Sequence, residues 1–159
     1  MTDKSWILNL GVGFGTDLFL NTGGKIYLPY FRFSFDKNVA MGDKKLPFFF
    51  GGLVGYTGWG RIDNSYNYFN HRIPLGFRAG YHFNWGVDKL DTYAAATAGW
   101  VVNIPTGAKN ERSFIDIFED LLFGVNIGAR WFINDGFGFW AEAGYVGDLS
   151  LDVGISFKF

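Results

Sequence analysis

Residues 149–159 read Leu149-Ser150-Leu151-Asp152-Val153-Gly154-Ile155-Ser156-Phe157-Lys158-Phe159. Taken two at a time, Leu149, Leu151, Val153, Ile155, Phe157 and Phe159 share one face, and Ser150, Asp152, Gly154, Ser156 and Lys158 share the other. Period-two alternation over this length marks a β-strand with one apolar and one polar side. A tilted strand crosses a bilayer in about 9–11 residues, so the stretch is long enough to span one.

The same alternation recurs towards the N-terminus. Residues 6–15 place Trp6, Leu8, Leu10, Val12 and Phe14 against Ile7, Asn9, Gly11, Gly13 and Gly15. Residues 25–35 place Tyr27, Pro29, Phe31, Phe33 and Phe35 against Ile26, Leu28, Tyr30, Arg32 and Ser34. Pro29 has no N–H to give a ladder, which predicts a bulge or locally broken pairing. Residues 36–45 read as a polar link. In residues 46–58, Phe48, Phe49 and Phe50 are consecutive and Gly51-Gly52 follows, so a bulge is expected and the pattern does not say which Phe points outward. Residues 59–72 read as a long polar and aromatic loop.

A fourth strand sets Ile73, Leu75, Phe77, Ala79, Tyr81 and Phe83 against Pro74, Gly76, Arg78, Gly80, His82 and Asn84. Residues 84–89 turn the chain. Residues 90–103 alternate weakly; Trp100 and Val102 are taken to face out. Residues 104–121 form the longest expected connection, with one helical turn suggested by Ile115, Ile117, Phe118 and Leu121. A sixth strand sets Phe123, Val125, Ile127, Ala129, Trp131 and Ile133 against Gly124, Asn126, Gly128, Arg130 and Phe132. Asn134-Asp135-Gly136 is a tight-hairpin signal. Residues 137–145 form a seventh strand, and a short turn at 146–148 leads into the last. The expected connections after strands one, three and five are longer than most of those after two, four and six, as in transmembrane barrels.

Composition narrows the class. The chain has 159 residues, which is one domain, residues 1–159. Basic and acidic residues nearly cancel, at 14 against 15, so no nucleic-acid footprint is visible. There is no cysteine, which excludes disulfides and thiolate metal sites. No apolar run is long enough for a membrane-crossing helix. Met1-Thr2-Asp3-Lys4 leads directly into a strand, read here as a mature chain carrying a start Met added for expression.

Charge settles the sidedness. Arg32, Arg78, Arg130, Glu142, Asp152 and Lys158 all fall on the polar faces. A basic side chain facing lipid near the midplane costs about 2–4 kcal/mol. A soluble ligand-binding barrel would put its apolar faces inside, and these faces, if wet, would form an apolar patch too large for a soluble monomer. The expected fold is therefore an all-β, eight-stranded antiparallel up-and-down transmembrane β-barrel with apolar faces on lipid. Eight strands enclose a bore that side chains can fill. Inward Gly11, Gly13, Gly76, Gly80, Gly128 and Gly144 would make room for Tyr30, Trp140 and Phe132. The expected lumen network is Arg32, Arg78, His82, Asn126, Arg130, Glu142 and Asp152, with Glu142 and Arg130 on neighbouring strands, nearly opposite or one pair apart. Such a network blocks a wide aqueous channel.

The segment from Phe123 to Tyr145, with its Ala-Glu-Ala-Gly-Tyr piece, and the stretch ending at Phe159 resemble the final strands of small bacterial outer-membrane barrels, the OmpX/OmpA/OmpW-like group. The resemblance implies a monomeric barrel integral to the bacterial outer membrane. Its partners would be the lipid of a lipopolysaccharide-type leaflet and the barrel-insertion machinery, with Phe157 and Phe159 as the insertion signal. It does not fix a role.

Chemistry is sparse. His82, inward between Gly80 and Asn84, reads as a hydrogen-bonding lumen residue rather than a catalyst. Asp63, Ser65 and His71 have the residue types of a hydrolase triad and fall in one expected loop, but no nucleophile elbow surrounds them. Two separated histidines give no metal spacing, and Gly-Val-Gly-Phe-Gly lacks the helix and Lys of a phosphate loop. No cofactor is expected. Trp6, Tyr27, Tyr81, Trp131 and Tyr145 read as interfacial girdle. The leading expectation is a non-enzymatic barrel whose outer loops (16–24, 59–72, 104–121) serve surface interaction or envelope structure. A narrow channel for small apolar molecules or ions, and an enzyme acting on envelope lipid, are the alternatives.

Overall fold

A computed structural model of the chain describes residues 5–15, 25–41, 44–63, 66–106, 120–146 and 149–159. Eight strands follow in order: β1 (Trp6–Gly15), β2 (Lys25–Met41), β3 (Lys44–Asp63), β4 (Tyr66–Phe83), β5 (Leu90–Thr106), β6 (Asp120–Phe132), β7 (Phe137–Val146) and β8 (Leu149–Lys158). Each pairs antiparallel with the next, and β8 returns to β1 to close the barrel. Leu10 lies opposite Phe33 on one side and Ile155 on the other. At the seam, the Trp6 N–H donates to the Phe159 carbonyl at 3.0 Å and the Phe159 N–H donates to the Trp6 carbonyl at 2.9 Å. Closure leaves no free edge on the paired strands, the condition for β-structure in hydrocarbon.

Alternation decides which side chain meets lipid. Outward, Leu10, Phe31, Phe77, Trp100, Phe123, Ile127, Phe139 and Leu151 are all exposed. Trp100 and Val102 share the outward face of β5, as expected, with Asp91, Tyr93, Thr97 and Val101 buried on the other. Inward, arginines and carboxylates are buried. This is the reverse of a soluble barrel, and it follows from an outer solvent that is hydrocarbon.

Pro29 does interrupt its ladder: between Leu28 and Phe31 the β2–β3 register shifts, so two residues of β2 oppose one of β3. The bulge expected at Phe48–Gly52 lies elsewhere, since pairing is continuous there and the second irregularity falls between Asn38 and Ala40. Phe49 points inward, while Phe48 and Phe50 point out. The β6–β7 hairpin forms at Asn134-Asp135-Gly136, but by an unexpected device. The Asn134 Oδ1 accepts from the N–H of Gly136 at 3.0 Å and of Phe137 at 2.8 Å, and Gly136 has no positive φ. The side chain makes the turn, as an Asx motif.

Three connections differ from expectation. Residues 36–45 are mostly strand, because β2 runs on to Met41 and β3 starts at Lys44. Residues 59–72 are not a loop: β3 and β4 continue as a paired hairpin up to Asp63 opposite Tyr66. The polar residues there suited a solvated loop and suit a solvated ladder equally, so composition did not separate them. Within 104–121, β5 extends to Thr106 and β6 begins at Asp120. The expected loop at 16–24 and the helical turn within 107–119 lie outside the described residues.

Candidate functional site in the lumen

Arginines and carboxylates spread over six strands would not cohere by composition alone; the register brings specific partners together. Arg32, Ser34 and Asp36 are successive inward positions of β2 and Asp91 and Tyr93 of β5; Arg78 and His82 share the inward face of β4 on either side of Gly80, and Arg130 lies inward on β6. Glu142 comes from β7 and Asp152 from β8. Stripped of water in a bore this narrow, each ion carries a desolvation cost of several kcal/mol that only well-placed partners offset.

The partners form a single alternating column. His82 Nδ1 lies 2.6 Å from Asp91 Oδ1. Arg130 Nη1 donates to the other Asp91 oxygen at 2.8 Å, and its Nη2 pairs with Asp36. Arg78 Nε faces the second Asp36 oxygen at 3.2 Å, and its Nη2 donates to Glu142 at 2.9 Å. Arg32 pairs with Glu142 and donates through Nη1 to Asp152 at 2.6 Å. The order is thus His82, Asp91, Arg130, Asp36, Arg78, Glu142, Arg32, Asp152, and every arginine touches two carboxylates.

Neutral groups finish the coordination. Asn9 on β1 accepts from Arg130 Nε at 3.1 Å and from Ser156 at 2.7 Å, and donates to Ser34 at 3.1 Å. Tyr93 donates to Glu142 at 2.7 Å, and its ring lies 4.1 Å beneath the Arg130 guanidinium. Arg32 lies 5.6 Å from the Trp140 ring. Stacking of this kind favours planar guanidinium groups, which also bridge two carboxylates better than lysine does. Space comes from glycine: a Cβ at Gly128 would run into the Tyr93 ring, and one at Gly11 would come within 2.7 Å of the Trp140 indole.

Of the residues named from sequence, Arg32, Arg78, His82, Arg130, Glu142 and Asp152 meet in this column. Asn126 is buried on β6, yet among the described residues its amide has no hydrogen-bond partner and takes no part. The juxtaposition of Glu142 with Arg130 is not used as a pair. Register puts Glu142 opposite Gly128 and Arg130 opposite Trp140, and each ion reaches across the lumen instead. Asp36 and Asp91 were missed, although each continues the inward parity of its strand. By composition Asp36 opens a polar link, and Asp91 stands at the start of the weakest alternation. Gly80 makes room for Phe49, and Gly128 for Tyr93, neither of which was expected.

The expected loop triad is not assembled. His71 lies on β4 opposite Gly58, where its Nδ1 is 2.8 Å from the Tyr56 hydroxyl. Asp63 ends β3 five pairs further along, roughly 16 Å at strand spacing, and Ser65 lies outside the described residues. Among the described residues no group of three His, Cys, Asp or Glu side chains could hold a metal ion. Phe157 packs its ring 5.5 Å from Phe137, and Phe159 is exposed beside the β1–β8 seam. The column's chemistry is therefore cohesive: it ties β2, β4, β5, β6, β7 and β8 together and occupies the bore.

No protein-family model and no curated protein sequence matches this chain. Solved structures do. A de novo designed transmembrane β-barrel aligns over 100% of this chain and 98% of its own, with a TM-score of 0.59 at 16% identity. Ail, the attachment invasion locus protein of Yersinia pestis, solved in complex with the heparin analogue sucrose octasulfate, aligns over 99% and 100%, with a TM-score of 0.59 at 11% identity. At these identities the likeness is one of fold.

Proposed function

From a chain that folds as a small eight-stranded barrel of the outer-membrane type, we propose an integral protein of the bacterial outer membrane that works by its surface and not by passage or catalysis through its bore. The supporting observation is a contrast within the barrel. The bore is taken up by the ion column, with Arg130, Asp36 and Glu142 each at most 2% exposed. Meanwhile β2, β3, β4 and β5 run 17, 20, 18 and 17 residues, against 10 each for β1, β7 and β8. About 9–11 residues suffice to cross the hydrocarbon, so the longer strands carry a paired extension that spanning does not require. In the β3–β4 hairpin it pairs from Thr57 opposite Arg72 to Asp63 opposite Tyr66.

In this reading the extension and the connections beyond it present the interaction surface. Lipid of a lipopolysaccharide-type leaflet covers the apolar exterior. Phe157 and Phe159 offer the aromatic end that the insertion machinery engages, and the barrel works as a monomer. Ail's complex with a heparin analogue makes polysulfated glycans a sensible first ligand class to screen.

The test has two arms. In planar bilayers the refolded chain should give no stepwise single-channel current; regular open steps would refute the filled bore. Replacing residues 59–70 by a two-residue Asn-Gly turn should leave a heat-modifiable barrel on a gel and abolish adhesion of expressing cells to immobilised glycan and matrix proteins. Adhesion that survives with the shortened hairpin would refute the surface role.

A further inference from the structure

The ion column has an odd charge count. Among the described residues it contains three arginines and four carboxylates, Asp36, Asp91, Glu142 and Asp152. With a neutral His82, one uncompensated negative charge would sit in a bore walled by protein and hydrocarbon, the arrangement that costs most in a low-dielectric interior. We propose that His82 is the fourth cation, a doubly protonated ring that balances the column at one mouth of the barrel, and that losing its proton loosens that mouth.

Geometry supports the assignment independently. Both ring nitrogens face oxygen: Nδ1 lies 2.6 Å from Asp91 Oδ1, and Nε2 lies 3.0 Å from Asn38 Oδ1. A ring that donates from both nitrogens is an imidazolium. The Asn38 amide is held by Ser5, to whose hydroxyl its Nδ2 donates at 3.0 Å. Turning that amide over would serve a neutral ring; the charge count is what selects the charged one. The ring is wedged between Phe49, tilted at 4.9 Å, and the edge-on Tyr93 at 6.4 Å, which fixes its plane.

Among the described residues, the groups around it come from four sides. From β5 come Asp91 and Tyr93, from β3 Phe49, and from β2 Asn38 with Asp36 one link further on. Ser5 precedes β1, and Arg130 of β6 meets His82 only through their shared Asp91. Lys158 of β8 sits over the Phe132 ring at 5.3 Å and is not a member of the column. His82 is also where the column reaches solvent: its side chain is 12% exposed, against 0–2% for the other seven ions. It is thus the member able to exchange a proton with water directly.

Deprotonation removes one of the two ring protons. The ring keeps its Nδ1–H on Asp91 as a neutral donor and loses the charge that balances that carboxylate. It turns a bare Nε2 towards the Asn38 oxygen, so the Asn38 amide must turn over and give up its donation to the Ser5 hydroxyl. The strain would fall on the β4–β5 end, where Phe83 pairs with Thr92 and the turn between the strands follows. The rest of the column keeps its own pairs.

The chain has two histidines, His71 and His82, so the test is direct. The full chain, labelled with nitrogen-15 at histidine and refolded in nanodiscs, is examined by NMR at neutral pH, with His71→Gln used to assign the signals. Protonation of both His82 nitrogens is expected; one bare ring nitrogen would overturn the proposal. On titration, Asp91→Asn, which leaves three arginines against three carboxylates, should make His82 release its proton at a lower pH than in the parent chain. Asn38→Asp, which adds an anion at Nε2, should move the release the other way. Amide exchange at Phe83 and Thr92 should rise several-fold as the parent ring deprotonates. Titration unchanged by either variant, or exchange indifferent to the ring's charge, would also overturn it, and the wild-type ring spectrum decides even if a variant fails to fold.

Discussion

Phe48, Phe49 and Phe50 are neighbours on one strand and live in two different media. Phe48 and Phe50 are about half exposed, on the surface that meets acyl chains, whereas Phe49 is 2% exposed. Phe49 lies 5.6 Å from the Tyr93 ring, edge to face, and beneath the Arg78 guanidinium at 5.5 Å. The outer pair face a fluid that conforms to any apolar shape. The inner one fills a fixed gap among ions. Outside, apolarity is required and identity is nearly free; inside, each side chain is specified by its partners.

That contrast ranks the effect of substitution. The largest loss is expected for Arg130→Met, which leaves Asp36 with a single arginine, Asp91 with only His82, and the Asn9 carbonyl without its guanidinium. Breaking a buried pair from one side costs about 3–5 kcal/mol, and urea unfolding of the barrel refolded into lipid vesicles should read a loss of that size. A loss near zero would mean that the column contributes little to cohesion. Next comes Phe77→Arg, which puts a cation on the lipid face at a site 76% exposed. About 2–4 kcal/mol is expected there, and an unchanged urea midpoint would contradict the assigned sidedness.

The finest test compares adjacent residues. Phe49→Ala should cost about 3 kcal/mol or more, since it opens a cavity between Tyr93 and Arg78 that packed neighbours cannot refill. Phe50→Ala should cost no more than about 0.5–1 kcal/mol, since lipid closes the gap. Equal losses in the same vesicle assay would mean that the inner and outer faces are not different environments.

Legibility along the chain followed how local each signal was. The outward faces of β1, β4, β6, β7 and β8 could be read residue by residue, because a two-residue period is visible within a single strand. Strand ends were harder. The Trp59–Arg72 stretch is polar and aromatic whether read as a loop or as a ladder, and only pairing with a partner strand makes its described residues the latter. Asp36 shows the same difficulty: by composition it opens a charged link, and by parity it continues Arg32 and Ser34 into the bore. Following parity past the first charged residue would have recovered it, and Asp91 likewise.

Sequence by itself determined the strand count, the hairpin order and which faces are apolar, because these rest on alternation and turn chemistry that act over a few residues. It also supplied three arginines and most of their counter-ions. Only the tertiary structure decided who meets whom. Arg32 finds Asp152 across 120 residues of chain, and Arg130 finds Asp36 across 94. Those meetings depend on closure, register and the bulge at Pro29, quantities that no single strand contains. A one-residue slip in any ladder would leave every strand intact and still scatter the column.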